Sequence, residues 1–176
     1  MACFVTLMLC TSTIPFQGES VVRENKVKAV FLYNFTQFVE WPATSFGEET
    51  SPVVIGILGK DTFSEYLSEI IEGETVNNRP IVVKKFTSPT PELAHCQILF
   101  IDKSFTDINA VTSSITNKPV LTVSDYDNFM KANGILRFYI EDDKVRFEIN
   151  RDAALRSGLQ ISPKLLKLAT IYKSRR

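Results

Sequence analysis

Residues 53–58 read Val-Val-Ile-Gly-Ile-Leu, without one polar side chain. A strand with one wet face would alternate apolar and polar positions. An unbroken apolar run of this length suits a strand covered on both faces, as in a parallel sheet between helices. The segments downstream fit that reading. Asp61 can cap a helix whose Phe63, Tyr66, Leu67 and Ile70 share a face, and Gly73 can end it. Strand Ile81–Lys85, strand Gln97–Ile101, a helix around Phe105–Ile115 and strand Val120–Val123 continue the alternation. Strands separated by helices imply right-handed crossovers and a mostly parallel sheet.

The last strands break the pattern. Ile135–Ile140 and Val145–Ile149 are joined by Glu141–Lys144 (EDDK), short enough for an antiparallel hairpin. Val145, Phe147 and Ile149 take one face of the second strand, and Arg146, Glu148 and Asn150 the other. Gly158 closes a brief helix through Ala153–Leu155. Ser162 caps a final one with Pro163 in its first turn. Leu165, Leu168, Ala169 and Tyr172 form the expected buried face of that helix. The fold class is therefore α/β: a three-layer sandwich with a mostly parallel central sheet, a C-terminal antiparallel hairpin and helices on both faces.

Before the first strand lies Lys28–Pro42 (KAVFLYNFTQFVEWP). Val27, Val30, Phe31, Asn34, Phe35 and Phe38 recur at the spacing of one helix face, and Leu32 and Val39 widen the stripe. Trp41 and Pro42 stop the helix, because a residue preceding proline avoids the helical region. Most of this stripe must be core, and an excess on one flank is available to a partner.

The chain has 176 residues, enough for one self-sufficient core, with 44% hydrophobic and 23% charged residues. Lys+Arg and Asp+Glu are equal at 20 each, which removes the electrostatic case for nucleic acid as a partner. Glu19 is the first charged side chain, and Ala2–Cys10 (ACFVTLMLC) is apolar but too short to cross a bilayer. Residues 1–20 are read as a secretory leader, although the usual basic residue before its core is missing, and 21–176 as a single domain. Cys3 and Cys10 would leave with the leader. Cys96 would then be the only thiol, unable to form an internal disulfide.

No catalytic constellation emerges. Gly56, Gly59 and Lys60 (GILGKD) have the wrong spacing for a phosphate loop, and Asp61 would repel phosphate. His95 is the sole histidine, and the adjacent Cys96 would face the opposite way on an extended chain. Asp102 and Asp125 end two apolar strands, where open α/β sheets place ligand groups, so they are the candidate ligand-binding residues; helix capping is the structural alternative. Arg146 and Glu148 read as solvated strand partners. Arg79 could hold a hairpin loop or a ligand carboxylate. No cofactor or metal is implied.

Taken in order, KAVFLYNFTQFVEWP, VVIGILG, NRPIVVKK, CQILFI, PVLTVSD and VRFEIN…SGLQISPKLLKLA resemble the YfiR family, DUF4154, over about Lys26–Ile171. The resemblance implies an α/β periplasmic protein without known catalytic residues. It further implies a non-catalytic regulator, similar to a repressor that binds the periplasmic part of an inner-membrane diguanylate cyclase and so sets cyclic-di-GMP level and biofilm or motility behaviour. The best-understood member depends on disulfides for stability, and with Cys96 alone that control does not carry over. The expected partner-binding residues are Phe38 and Trp41 at the end of the first helix, with Arg79, Glu148 and Lys164. A homodimer stays open. The competing readings are a periplasmic small-ligand sensor using Asp102 and Asp125, and, last, an enzyme using the same two carboxylates.

Overall fold

The computed structural model of the chain describes residues 17–60 and 63–173. Helix α1 (Gln17–Phe38) leads into a two-residue strand β1 (Val39–Glu40), and the central sheet begins with β2 (Val53–Leu58). Then come α2 (Ser64–Ile71), β3 (Thr75–Val76), β4 (Arg79–Phe86), β5 (Ile98–Ile101), α3 (Ile108–Ser114) and β6 (Leu121–Ser124). Strands β7 (Leu136–Glu141) and β8 (Lys144–Ile149) precede α4 (Arg151–Arg156), β9 (Gln160–Ile161), α5 (Pro163–Leu168) and β10 (Thr170–Ile171).

The sheet runs in the order β10-β8-β7-β6-β5-β2-β4-β3. Its centre, β4, β2, β5, β6 and β7, is parallel throughout. Counted along the chain, these five strands lie in the order 2-1-3-4-5, that of flavodoxin-like doubly wound sheets. The expected hairpin is present, with β8 antiparallel to β7 from Leu136↔Ile149 to Glu141↔Lys144. A separate small sheet pairs β1 with β9 antiparallel.

Period-two alternation sorts the strand side chains into two cores. Ile55, Ile57, Ile98, Phe100, Leu121, Val123, Phe138 and Phe147 face α1 and α2, and Leu58, Leu99 and Ile101 face α3 and the 3-10 turn at Pro91–His95. The mixed α/β sandwich expected from the sequence is thus observed, helices lying on both faces.

Some element readings need correction. Helix α1 begins at Gln17, well before Lys28, inside the segment read as a leader; residues 1–16 lie outside the described residues. Its extra turns are mostly polar apart from Val21, Val22 and Val27, with Glu19 in the first turn and a Glu24–Lys28 pair one turn apart at 2.6 Å. The helix stops at Phe38, before Trp41–Pro42, because Val39 and Glu40 turn extended to pair with Ile161 and Gln160. Its buried line is Ala29, Leu32, Phe35 and Thr36, and Val30, expected on the core face, is 44% exposed. Asp61, the expected cap of α2, lies outside the described residues.

In α5, Ser162 Oγ does accept the Leu165 N–H at 3.2 Å and Leu165 is buried. Leu168, however, is 71% exposed, and Tyr172 lies beyond the helix. The helix is too short to bury residues one turn apart on both sides of its contact.

Two glycines are set by close approach. A Cβ on Gly56 would lie 2.7 Å from the Cys96 Sγ. On Gly134 it would collide with the ring of Phe129, which is fully buried. Replacing Gly134 by Ala should therefore cost about 1–3 kcal/mol by overpacking, read as a lower urea midpoint at unchanged slope; an unaltered midpoint would contradict the packing described for Phe129.

Candidate partner-binding surface

Helix α1 crosses the sheet from its carboxyl to its amino end. Lys28 Nζ donates to Asp125 Oδ2 at 2.7 Å, just past β6, and Trp41 Nε1 donates to the carbonyl of Gln97 at 2.9 Å, just before β5. The turns preceding Lys28 therefore reach about 15 Å beyond the carboxyl edge, at 1.5 Å per residue. The β7–β8 hairpin makes the same excursion, because Arg137 already pairs with the last residue of β6, Ser124. Asp142 and Asp143 both take positive φ at its tip, as a two-residue hairpin turn requires.

These two projections lie side by side. A groove of about 490 Å³ runs between them, walled by Arg23, Val27 and Phe31 of α1 and by Ile140, Lys144 and Val145 of the hairpin. The outer flank of α1 carries a second, more apolar hollow lined by Val22, Val27, Val30 and Phe31. Val21 is 54% exposed, Val22 42% and Ile140 52%. Val22 and Ile140 lie on the two hollows that share Val27 and Phe31, and neighbouring exposed apolar side chains of this kind are a candidate binding surface. Arg23, Glu24, Asp143 and Lys144 supply a mixed-charge rim.

The base of this extension is pinned by an ion cluster. Lys28 is 3% exposed and lies 2.6 Å from Glu24 and 2.7 Å from Asp125. Burial pulls the Lys28 pKa down, but the hydrogen bonds and charges of Asp125 and Glu24 outweigh it and leave the pKa above 10.5. Asp125 also accepts the Lys103 N–H at 3.2 Å.

The residues singled out from sequence are dispersed. Asp102 is buried, and its carboxylate accepts the N–H of Ser104 at 2.8 Å, closing a local turn. The cap of α3 is Asp107 instead, accepting from Ala110. Phe38 and Trp41 are half-buried at the far end of α1, over the amino edge of the sheet, packed against the main core. Arg79 sits at the start of β4, 4.1 Å above the Phe46 ring, and donates to the carbonyls of Glu48 at 2.7 Å and Ser51 at 2.8 Å, so its guanidinium holds the 46–51 loop. Glu148 accepts from Arg137 Nε at 2.5 Å across the hairpin. Lys164 is exposed in the first turn of α5. The surface formed by Val22, Val30 and Ile140 was not singled out; its signal was the apolar excess on α1, which needed the helix's true start to be placed.

His95 is exposed, whereas Cys96 is buried with its thiol over Gly56. Burial, opposed by Lys84 and aided by Glu92, pushes the Cys96 pKa up to about 11. Among the described residues no group of His, Cys, Asp or Glu could hold a metal ion, and no helix is long and apolar enough to cross a membrane.

The doubly wound sheet with helices on both faces defines an α/β domain. A sequence-family model described as YfiR/HmsC-like (DUF4154) matches residues 25–170, nearly the whole described chain, and the protein belongs to that family.

Changing Asp125 to Asn should cost on the order of 3 kcal/mol at neutral pH, because Lys28 stays buried with one partner removed. The pair stabilises the fold while Lys28 is charged and is lost as pH rises through its raised pKa, so the deficit of the variant should shrink above pH 10.5. Denaturation at pH 7 and pH 11 measures both. Native Cys96 should resist iodoacetamide at pH 8 and react fully in urea; rapid alkylation of the folded protein would refute its burial.

Proposed function

We propose that this protein is a periplasmic, non-catalytic regulator that acts by protein–protein contact in cyclic-di-GMP signalling. Its partner in this reading is the periplasmic part of an inner-membrane diguanylate cyclase, restrained when bound. The observation that carries it is membership of the YfiR/HmsC-like family over residues 25–170. The apolar extension of α1 and the β7–β8 hairpin supports a contact role and supplies the surface. Localisation rests on the sequence reading of residues 1–20 as a secretory leader. The small-ligand reading at Asp102 and Asp125 has weaker support, because both carboxylates already serve internal partners.

Val30 and Ile140 are exposed, so Val30→Asp with Ile140→Asp should leave stability within about 1 kcal/mol. The double variant should bind the purified periplasmic domain of a diguanylate cyclase from the same cell at least tenfold more weakly than the parent protein. Equal affinity would reject this surface. Absence of binding by the parent, together with unchanged cyclic-di-GMP after deletion of the protein, would reject the function.

A further inference from the structure

The charges of this neutral chain are unevenly placed. Residues 151–176 hold seven of the 20 basic side chains and a single acid, Asp152, whereas residues 1–150 hold 13 basic and 19 acidic ones. A net charge of +6 on the last 26 residues is thus balanced by −6 on the rest. Separation of this kind points to an anionic surface as a partner even where the total is zero.

The fold gathers the basic segment at one corner. Strand β8 is antiparallel to β7 and ends at the amino edge of the sheet, where Asn150 caps α4. Next, β9 pairs with β1, and the Ser162 N–H donates to the carbonyl of Phe38 at 2.9 Å. Strand β10 then returns beside β8 with Ile171 opposite Ile149. Arg156 of α4 and Tyr172, just past β10, line one hollow. Arg151, Arg156, Lys164, Lys167 and Lys173 are all exposed, and none has an ion-pair partner among the described residues.

Apolar side chains stand among these cations. Leu168 at 71% and Leu155 at 64% are the two most exposed large hydrophobic residues of the described chain, and Ile171 is 39% exposed. Helix α5 turns Leu165 inward, and Lys164, Lys167 and Leu168 share its outward face within about 100° of arc. Cations meet lipid phosphates and leucine enters the acyl boundary, so a bilayer interface uses both features at once. We propose that the corner formed by α4, α5 and β10 rests on an anionic phospholipid surface, Lys164 and Lys167 lying at headgroup phosphates and Leu168 dipping below them. The α1–hairpin extension, at the opposite edge of the sheet, then points away from the lipid and stays free for a partner.

The proposal is independent of the partner surface and is tested by flotation of the mature chain with lipid vesicles. Vesicles of phosphatidylcholine and phosphatidylglycerol in equal parts should carry the protein, and phosphatidylcholine alone should not. Salt at 1 M should release it, because screening then acts within about 3 Å. Lys164→Gln with Lys167→Gln should weaken partition into the anionic vesicles about tenfold or more. Lys60→Gln with Lys84→Gln makes the same charge change past β2 and within β4, and should alter partition less than about twofold. Leu168→Gln should weaken it about tenfold while leaving the remainder sensitive to salt. All five positions are exposed, so these variants should fold as the parent does. No flotation of the parent with anionic vesicles, equal flotation with both kinds, equal losses in the two lysine pairs, or full binding by Leu168→Gln would overturn the assignment.

Discussion

Four phenylalanine rings hold α1 to the hairpin. Phe31 and Phe35 of the helix meet Phe138 and Phe147 of β7 and β8, with ring centroids 5.2–5.9 Å apart. Each such pair contributes about 0.5–1.5 kcal/mol beyond the area it buries. The geometry matters more than the sum. Two helix turns fixed against two strands set both the tilt and the register of α1. That register brings Lys28 to Asp125 at one end and Trp41 to Gln97 at the other. It also sends the first turns of the helix out beside the hairpin tip. Without this cluster the exposed valines would have no fixed neighbour in Ile140.

Much of the architecture was legible because burial imposes periodicity. VVIGIL could be a two-sided strand and little else, and the alternation around Phe147 named its inward face correctly. The capping serine at Ser162 and the left-handed Gly73 and Gly158 marked helix ends by backbone chemistry that tertiary context seldom overrides. The failures were contextual. The start of α1 is mostly polar, so hydrophobic spacing could not find it, and its end was set by pairing with β9, a segment about 120 residues away. Strand β3 went unread although Asn77 and Asn78, both at positive φ, form the turn that joins it to β4. Two asparagines between Val76 and Arg79 were the available signal.

The functional surface was harder to read. Phe38, Trp41 and Arg79 drew attention as large or charged residues near element ends, yet all three have structural partners. Arg79 braces a loop through two carbonyls, and Trp41 satisfies a strand terminus. Residue type alone could not distinguish these uses from recognition.

The two borders of the sheet constrain how this molecule can associate. On one side β10 offers two residues beside β8, whose remaining outward positions include Lys144 and Arg146. On the other, β3 covers only the start of β4, Pro80 removes a donor there, and Lys84 and Lys85 flank what is left. Charged side chains line both borders, Lys144 and Arg146 on one and Lys84 and Lys85 along the uncovered Ile81–Phe86 edge of β4 on the other, which discourages a neighbouring chain from extending the sheet. Recognition must then be written in side chains, which mutate one at a time, and relatives sharing this backbone are free to diverge in whom they contact while keeping the same hydrogen-bonded frame.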